Sequence, residues 1–181
     1  MGFLSKIFGK KDAAFEDASR IYTKLMSQAR RVEFYGENSA PDNYDGRIDV
    51  LTLHIAALLS ALNKFGQPGE RLGQALFDEM KDDFEIALRE EGISDTGVKK
   101  RIKPMIALFY TRVKIYAEAL HGNNPAEGLR AAFGSTLPDE SDGFETVLAD
   151  YLGRFHQNLA PLSLGQIALT EFSFPEVGKQ R

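Results

Sequence analysis

Residues 72–92, LGQALFDEMKDDFEIALREEG, and residues 98–120, VKKRIKPMIALFYTRVKIYAEAL, are two helical patterns set back to back, with ISDT (93–96) between them. In the first, Leu72, Leu76, Met80, Phe84, Ala87 and Leu88 share one stripe, while Asp78, Glu79, Asp82 and Glu85 point away from it. In the second, the stripe is Val98, Ile102, Met105, Phe109, Val113, Tyr116 and Leu120. Gly92 stops the first pattern, and Ser94 or Asp95 caps the second. An apolar stripe is stable when another element covers it, so the pair predicts a helical bundle. Pro104 falls inside the second pattern. It has no N–H to give, which predicts a kink there, or a helix proper that starts at Lys103 after one separate turn.

On the N-terminal side, Ile48, Leu51, Ile55, Leu58, Leu62 and Phe65 advance by alternating steps of three and four. Val50, Leu53 and Leu59 widen that stripe, so a helix beginning near Asp45 or Arg47 should be the most buried of all. Gly66 ends it and Pro68 enforces the stop. Before it lies a loop, Gly36–Asn43, and a helix from about Ala13 to Phe34 with Asp12 as N-cap. That helix sets Phe15, Ala18, Tyr22, Leu25, Met26, Ala29 and Val32 on one side. On the C-terminal side the pattern predicts a short helix over Ala126–Phe133 and a loop over Gly134–Asp142. A longer helix follows on Phe144, Leu148, Tyr151, Leu152 and Phe155, broken at Asn158–Pro161. Leu162–Leu169 suits one or two further turns, and Phe172, Phe174 and Pro175 lie in an extended tail. No alternating strand pattern and no repeat is present. The fold class is therefore all-α, an irregular bundle of about five to six helices with a kinked central helix. One domain covers 13–160, between a short N-terminal segment (1–12) and a C-terminal tail (161–181).

A length of 181 residues fits one domain, and 43% hydrophobic with 27% charged residues is enough to build a single core. The net charge of −4 argues against a DNA partner. Without cysteine there is no disulfide framework, thiol nucleophile or thiolate metal site. No stretch reads as the ~20 consecutive apolar residues of a membrane span. The N-terminus is too poor in apolar residues for a secretory signal, and its first arginine is Arg20, unlike a transit peptide. The chain reads as cytoplasmic and bacterial. Met1–Lys11 sets Phe3, Leu4, Ile7 and Phe8 at helical spacing beside Lys6, Lys10 and Lys11. Such a basic amphipathic segment suits an anionic membrane interface, and equally a strap packed on the bundle or a frayed terminus.

Candidate chemistry is sparse. Glu118 and His121 form one Glu-x-x-His, of which di-iron bundles use two, so the surface reading competes with a metal reading. His54, on the apolar side of the most buried helix, is a hydrogen-bonded core histidine or, less economically, a haem ligand with no second ligand in view. Asp82 and Asp83 diverge around a helix and cannot act as an acid–base pair, whereas Asp83 could accept from Arg112. Gly66, Gly69 and Gly73 lack the features of a phosphate loop. Lys99, Lys100, Arg101 and Lys103 place four cations at a helix start, against its dipole. They either pair with Asp78, Glu79 or Glu90 or await a negatively charged partner such as ribosomal RNA, anionic lipid or an acidic protein.

Two blocks, YDGRIDVLTLHIAALLSAL from Tyr44 and LFDEMKDDFEIALREEGISDTGVKKRIKPMIALFYTRVKIYAEAL from Leu76, resemble the ubiquinol–cytochrome c chaperone family. The order LFD-x-M, LRE-x-G, V-x-K-R and FY-x-R-x-x-x-Y at fixed spacing carries the resemblance, which covers about residues 35–155. The matching positions are Arg47, His54, Asp78, Asp83, Arg89, Glu90, Lys100, Arg101, Tyr110, Arg112 and Tyr116. The resemblance implies an all-α protein that is no enzyme, needs no cofactor and holds newly made cytochrome b for assembly into the respiratory ubiquinol–cytochrome c reductase. It implies a place at the inner face of the inner membrane. The client would be cytochrome b or another respiratory-complex subunit, and the ribosome or a small helical co-chaperone would be further partners. Alternatives from the residues alone are a small metal- or haem-binding bundle and a general protein-interaction adaptor.

Overall fold

A computed structural model describes residues 13–36, 39–135 and 143–178. Among the described residues seven α-helices follow one another: α1 (Ala13–Ala29), α2 (Tyr44–Leu62), α3 (Gln67–Glu90), α4 (Asp95–His121), α5 (Pro125–Gly134), α6 (Phe144–Leu159) and the short α7 (Leu164–Ala168). Single 3₁₀ turns at Val32–Phe34 and Asn63–Phe65 link α1 to α2 and α2 to α3. Among the described residues there is no strand, and the one β-bridge joins Tyr35 to Ala40. The fold is all-α. The candidate membrane residues Phe3, Leu4, Lys6, Ile7, Phe8, Lys10 and Lys11, together with the expected cap Asp12, lie outside the described residues.

α2 is the axis of the bundle. It packs against α1, α3, α4 and α6, and its apolar residues are buried nearly all round: Val50, Leu51, Leu53, Ile55, Ala57, Leu58 and Leu62. Each such side chain contributes about 1.5–3 kcal/mol on burial, so this helix supplies a large part of the stability. One expectation needs correcting here. Tyr44–Phe65 is long and apolar enough to cross a membrane by length and composition, because its formal charges cluster at its two ends. Within the bundle that composition serves the core instead. The helix starts at Tyr44 because the Asn43 side chain accepts from the Gly46 N–H (2.9 Å). Gly46 is required there, since a Cβ would meet the Pro41 carbonyl oxygen at 2.1 Å.

Other boundaries also differ from the sequence reading. α1 stops at Ala29, not Phe34, and Arg31 is extended (ψ 136°). That turn drops Phe34 into the core and leaves Val32 80% exposed, off the stripe it was assigned to. Pro68 does not terminate α2. It sits in the first turn of α3, where a missing N–H costs nothing, while Gly66 at φ +58° makes the joint. α4 runs unbroken from Asp95 through Pro104 to His121, so there is no separate first turn. Pro104 leaves the carbonyl of Lys100 without its helical donor.

The stretch after Thr170 is extended, as the sequence reads, yet it is part of the core. Phe172 is buried and Phe174 half-buried, both stacked against Phe155 of α6. Lys24 of α1 donates to the carbonyls of Thr170 (2.7 Å) and Phe172 (2.6 Å) and lies over the Phe172 ring. Arg154 donates to Glu176 and Asn158 to Ser173. Side chains of α1 and α6 thus hold the segment in place.

Candidate partner-binding surface

α3 and α4 form the most distinctive face. Gly69 and Gly73 bring α3 hard against the end of α2: a Cβ on Gly69 would meet the Leu62 carbonyl oxygen at 2.2 Å, and one on Gly73 the Leu59 side chain at 3.0 Å. Phe77, one turn further along α3, stacks on Phe109 (5.8 Å) and on Tyr110 (5.1 Å, 32° between planes). The result is an open groove of about 260 Å³, floored by Leu59, Leu62 and Val113 and walled by Phe77, Phe109 and Tyr110. Tyr110 remains 54% exposed and Leu108 47% exposed. An open apolar groove rimmed by an exposed aromatic is the geometry that takes an apolar segment of another molecule.

The cation cluster adjoins this face. Lys99, Lys100, Arg101 and Lys103 are all exposed, and among the described residues none has a carboxylate within ion-pair distance. The expected pairing with Asp78, Glu79 or Glu90 does not form. Asp78 instead accepts from Gln74 (2.9 Å), and Glu90 is exposed beyond the last turn's pairings. Arg89 ties α3 to α4 by binding Glu85 (3.1 Å) and Asp95 (3.4 Å).

Other family positions make contacts within the fold. Arg112 does not reach Asp83. It turns inward onto Asp49 of α2, because α4 lies chiefly across α2 and α5 and not along α3. Asp83 accepts from the Tyr22 hydroxyl of α1 (2.7 Å), and burial beside that carboxylate pushes the Tyr22 phenol well above its usual range. Arg47 pairs with Asp42 on the surface (2.8 Å), and Tyr116 packs its buried ring on Phe133 of α5 (4.9 Å).

His54 is a core histidine with both nitrogens engaged. Its Nδ1 lies 2.6 Å from the Val50 carbonyl, which can only accept, so Nδ1 carries the proton. Its Nε2 then accepts from the Tyr151 hydroxyl (2.7 Å), whose own oxygen accepts from Gln28 (3.0 Å). Burial pushes the imidazole down to about 4. No lone pair is left for an iron. His121 likewise does not act with Glu118: its Nε2 meets Ser60 Oγ (2.8 Å), which also meets His156 Nε2 (3.2 Å), while Glu118 faces Lys114. Among the described residues no cluster of three metal-ligating side chains occurs.

Fold and surface together define a helical scaffold whose most accessible features are an aromatic groove and free positive charge. The chain belongs to the ubiquinol-cytochrome C chaperone family, whose model matches residues 37–174. It is similar to the crystal structure of the Cbp3 homolog from Brucella abortus, with TM-score 0.79 and 30% identity over 97% of this chain and 98% of that one. It is also similar to ubiquinol-cytochrome-c reductase complex assembly factor 1 of Xenopus laevis, 25% identical over 120 residues. That match spans 66% of this chain and 60% of the frog protein's length. The family match covers α2 to α7 and the extended segment as far as Phe174, well beyond the 35–155 read from motifs.

Proposed function

We propose that this protein is an assembly chaperone for the respiratory ubiquinol–cytochrome c reductase, holding newly made cytochrome b by binding and not by catalysis. The observation that carries the reading is the groove of Phe77, Phe109 and Tyr110, open to solvent in a chain of this family. An unassembled membrane subunit exposes apolar helices, and a groove of about 260 Å³ takes side chains from one such helix. The protein would work peripherally at the inner face of the inner membrane, with residues 1–12 as one membrane contact. The ribosome or a small helical co-chaperone would be further partners.

A photo-crosslinking residue at Tyr110 tests this in living cells. Cytochrome b should be the captured polypeptide, and a strain lacking the protein should lose assembled reductase. Normal reductase levels in that strain would remove the proposal.

A further inference from the structure

The solvent face of α4 differs from the rest of the surface. Between Thr96 and Ala117 the chain has cations but no Asp or Glu, in a protein whose net charge is −4. Arg112 is turned inward onto Asp49, which leaves Lys99, Lys100, Arg101, Lys103 and Lys114 exposed. At the helical repeat, Lys100, Lys103, Ala107, Thr111 and Lys114 fall along one stripe, opposite the buried Ile102, Phe109 and Tyr116. Lys114 meets Glu118 at 3.9 Å. Leu108 and Tyr110 stand exposed on either flank of the stripe. Cations in the first turns of a helix oppose its dipole, and no carboxylate within the described fold compensates them.

We infer that this face of α4 lies on an anionic lipid surface, its lysines among the headgroup phosphates and Leu108 at the polar–apolar boundary. The inference rests on the chaperone reading for its purpose, and it adds a membrane contact independent of residues 1–12. One short amphipathic segment binds reversibly, and a second contact converts weak binding into residence. Nucleic acid fits the face less well. Four of the five exposed cations are lysines, flexible point charges that suit mobile headgroups, whereas a phosphate backbone is better gripped by arginine forks. Tyr110 already spends one ring face on Phe77 and is a poor stacking platform for bases. A long polyanion would also meet the acidic remainder of the protein, while a planar bilayer meets one face and is screened from the rest beyond about 8 Å.

The test is flotation of the whole chain with phosphatidylcholine–phosphatidylglycerol vesicles, with phosphatidylcholine vesicles, and with a structured RNA as competitor. Each lysine near such a surface is worth about five-fold in partitioning. The double variant Lys100→Glu/Lys103→Glu, with residues 1–12 intact and its circular dichroism unchanged, should therefore partition at least about ten-fold less onto the mixed vesicles. Leu108→Ser should weaken binding without changing its salt dependence. The inference is overturned if the double variant floats as the parent does, if neutral vesicles bind equally well, or if RNA displaces the parent from the mixed vesicles. Vesicles contain no client, so such a failure would leave the groove reading to its own test by crosslinking at Tyr110.

Discussion

The Tyr151 hydroxyl donates to His54 Nε2 across 2.7 Å of fully buried interior, joining α6 to α2. With Gln28 of α1 donating to the same hydroxyl, three helices share one hydrogen-bonded chain, and Phe34, Phe155 and Phe174 surround the imidazole. A buried polar chain that is fully satisfied sets the rotation of each helix against its neighbours.

That chain makes stability pH-dependent. His54 is held at about 4 in the fold and titrates near 6.5 when unfolded. Between those values the unfolded state binds the extra proton, so stability is full above about 6.5 and falls as pH drops towards 4, by up to about 3 kcal/mol. Burial also lowers His156, which acts in the same direction. Urea unfolding at several pH values should show the loss, and His54→Leu should flatten it. An unchanged slope in that variant would refute the assignment.

Tyr151→Phe removes one oxygen and strands two partners, Nε2 of His54 and the amide of Gln28. The expected cost is about 2–3 kcal/mol. Chemical denaturation at neutral pH measures it, and a loss under about 0.5 kcal/mol would mean that the chain adds little.

Phe172 should behave as a core residue. Phe172→Ala should cost about 3–5 kcal/mol, the range for a buried phenylalanine, whereas a loose tail would tolerate it. Hydrogen exchange should then show α6 and α1 opening together, since both hold the segment.

Arg112 and Asp49 form a partly buried pair, their side chains 12% and 21% exposed. Asp49→Ala leaves a guanidinium without its carboxylate and should cost about 2–3 kcal/mol, less than a fully buried pair because some solvent reaches it. Arg112→Met/Asp49→Leu should recover most of that loss in a double-mutant cycle.

Tyr110→Ala should separate folding from function. The side chain is more than half exposed, so stability should change by under about 0.5–1 kcal/mol. Assembled reductase in cells should nevertheless fall, if the groove holds the client.

The helix stripes were legible because a buried face repeats at 3.6 residues, and the five longest helices follow from that alone. Pairings between helices were not. Asp83 could be seen as an acceptor at the core edge, but its donor is Tyr22 and not Arg112, because one helix's period says nothing about its rotation against another. Ser60, between two histidines, carried no signal at all. The cation run was plain from composition. The groove was not, although Gly69 and Gly73, spaced i, i+4, were its trace: small residues at that spacing let two helices touch. Pro68 misled because the same residue that ends one helix also begins the next.

The placement of Phe172 and Phe174 has a consequence for how the chain comes into being. Every helix they cover is translated before them, so a nascent polypeptide paused short of residue 172 holds its helices around an unsealed centre. Phe172 and Phe174 follow α1 to α7 in the chain, so the core they cover is sealed only once those helices have been made.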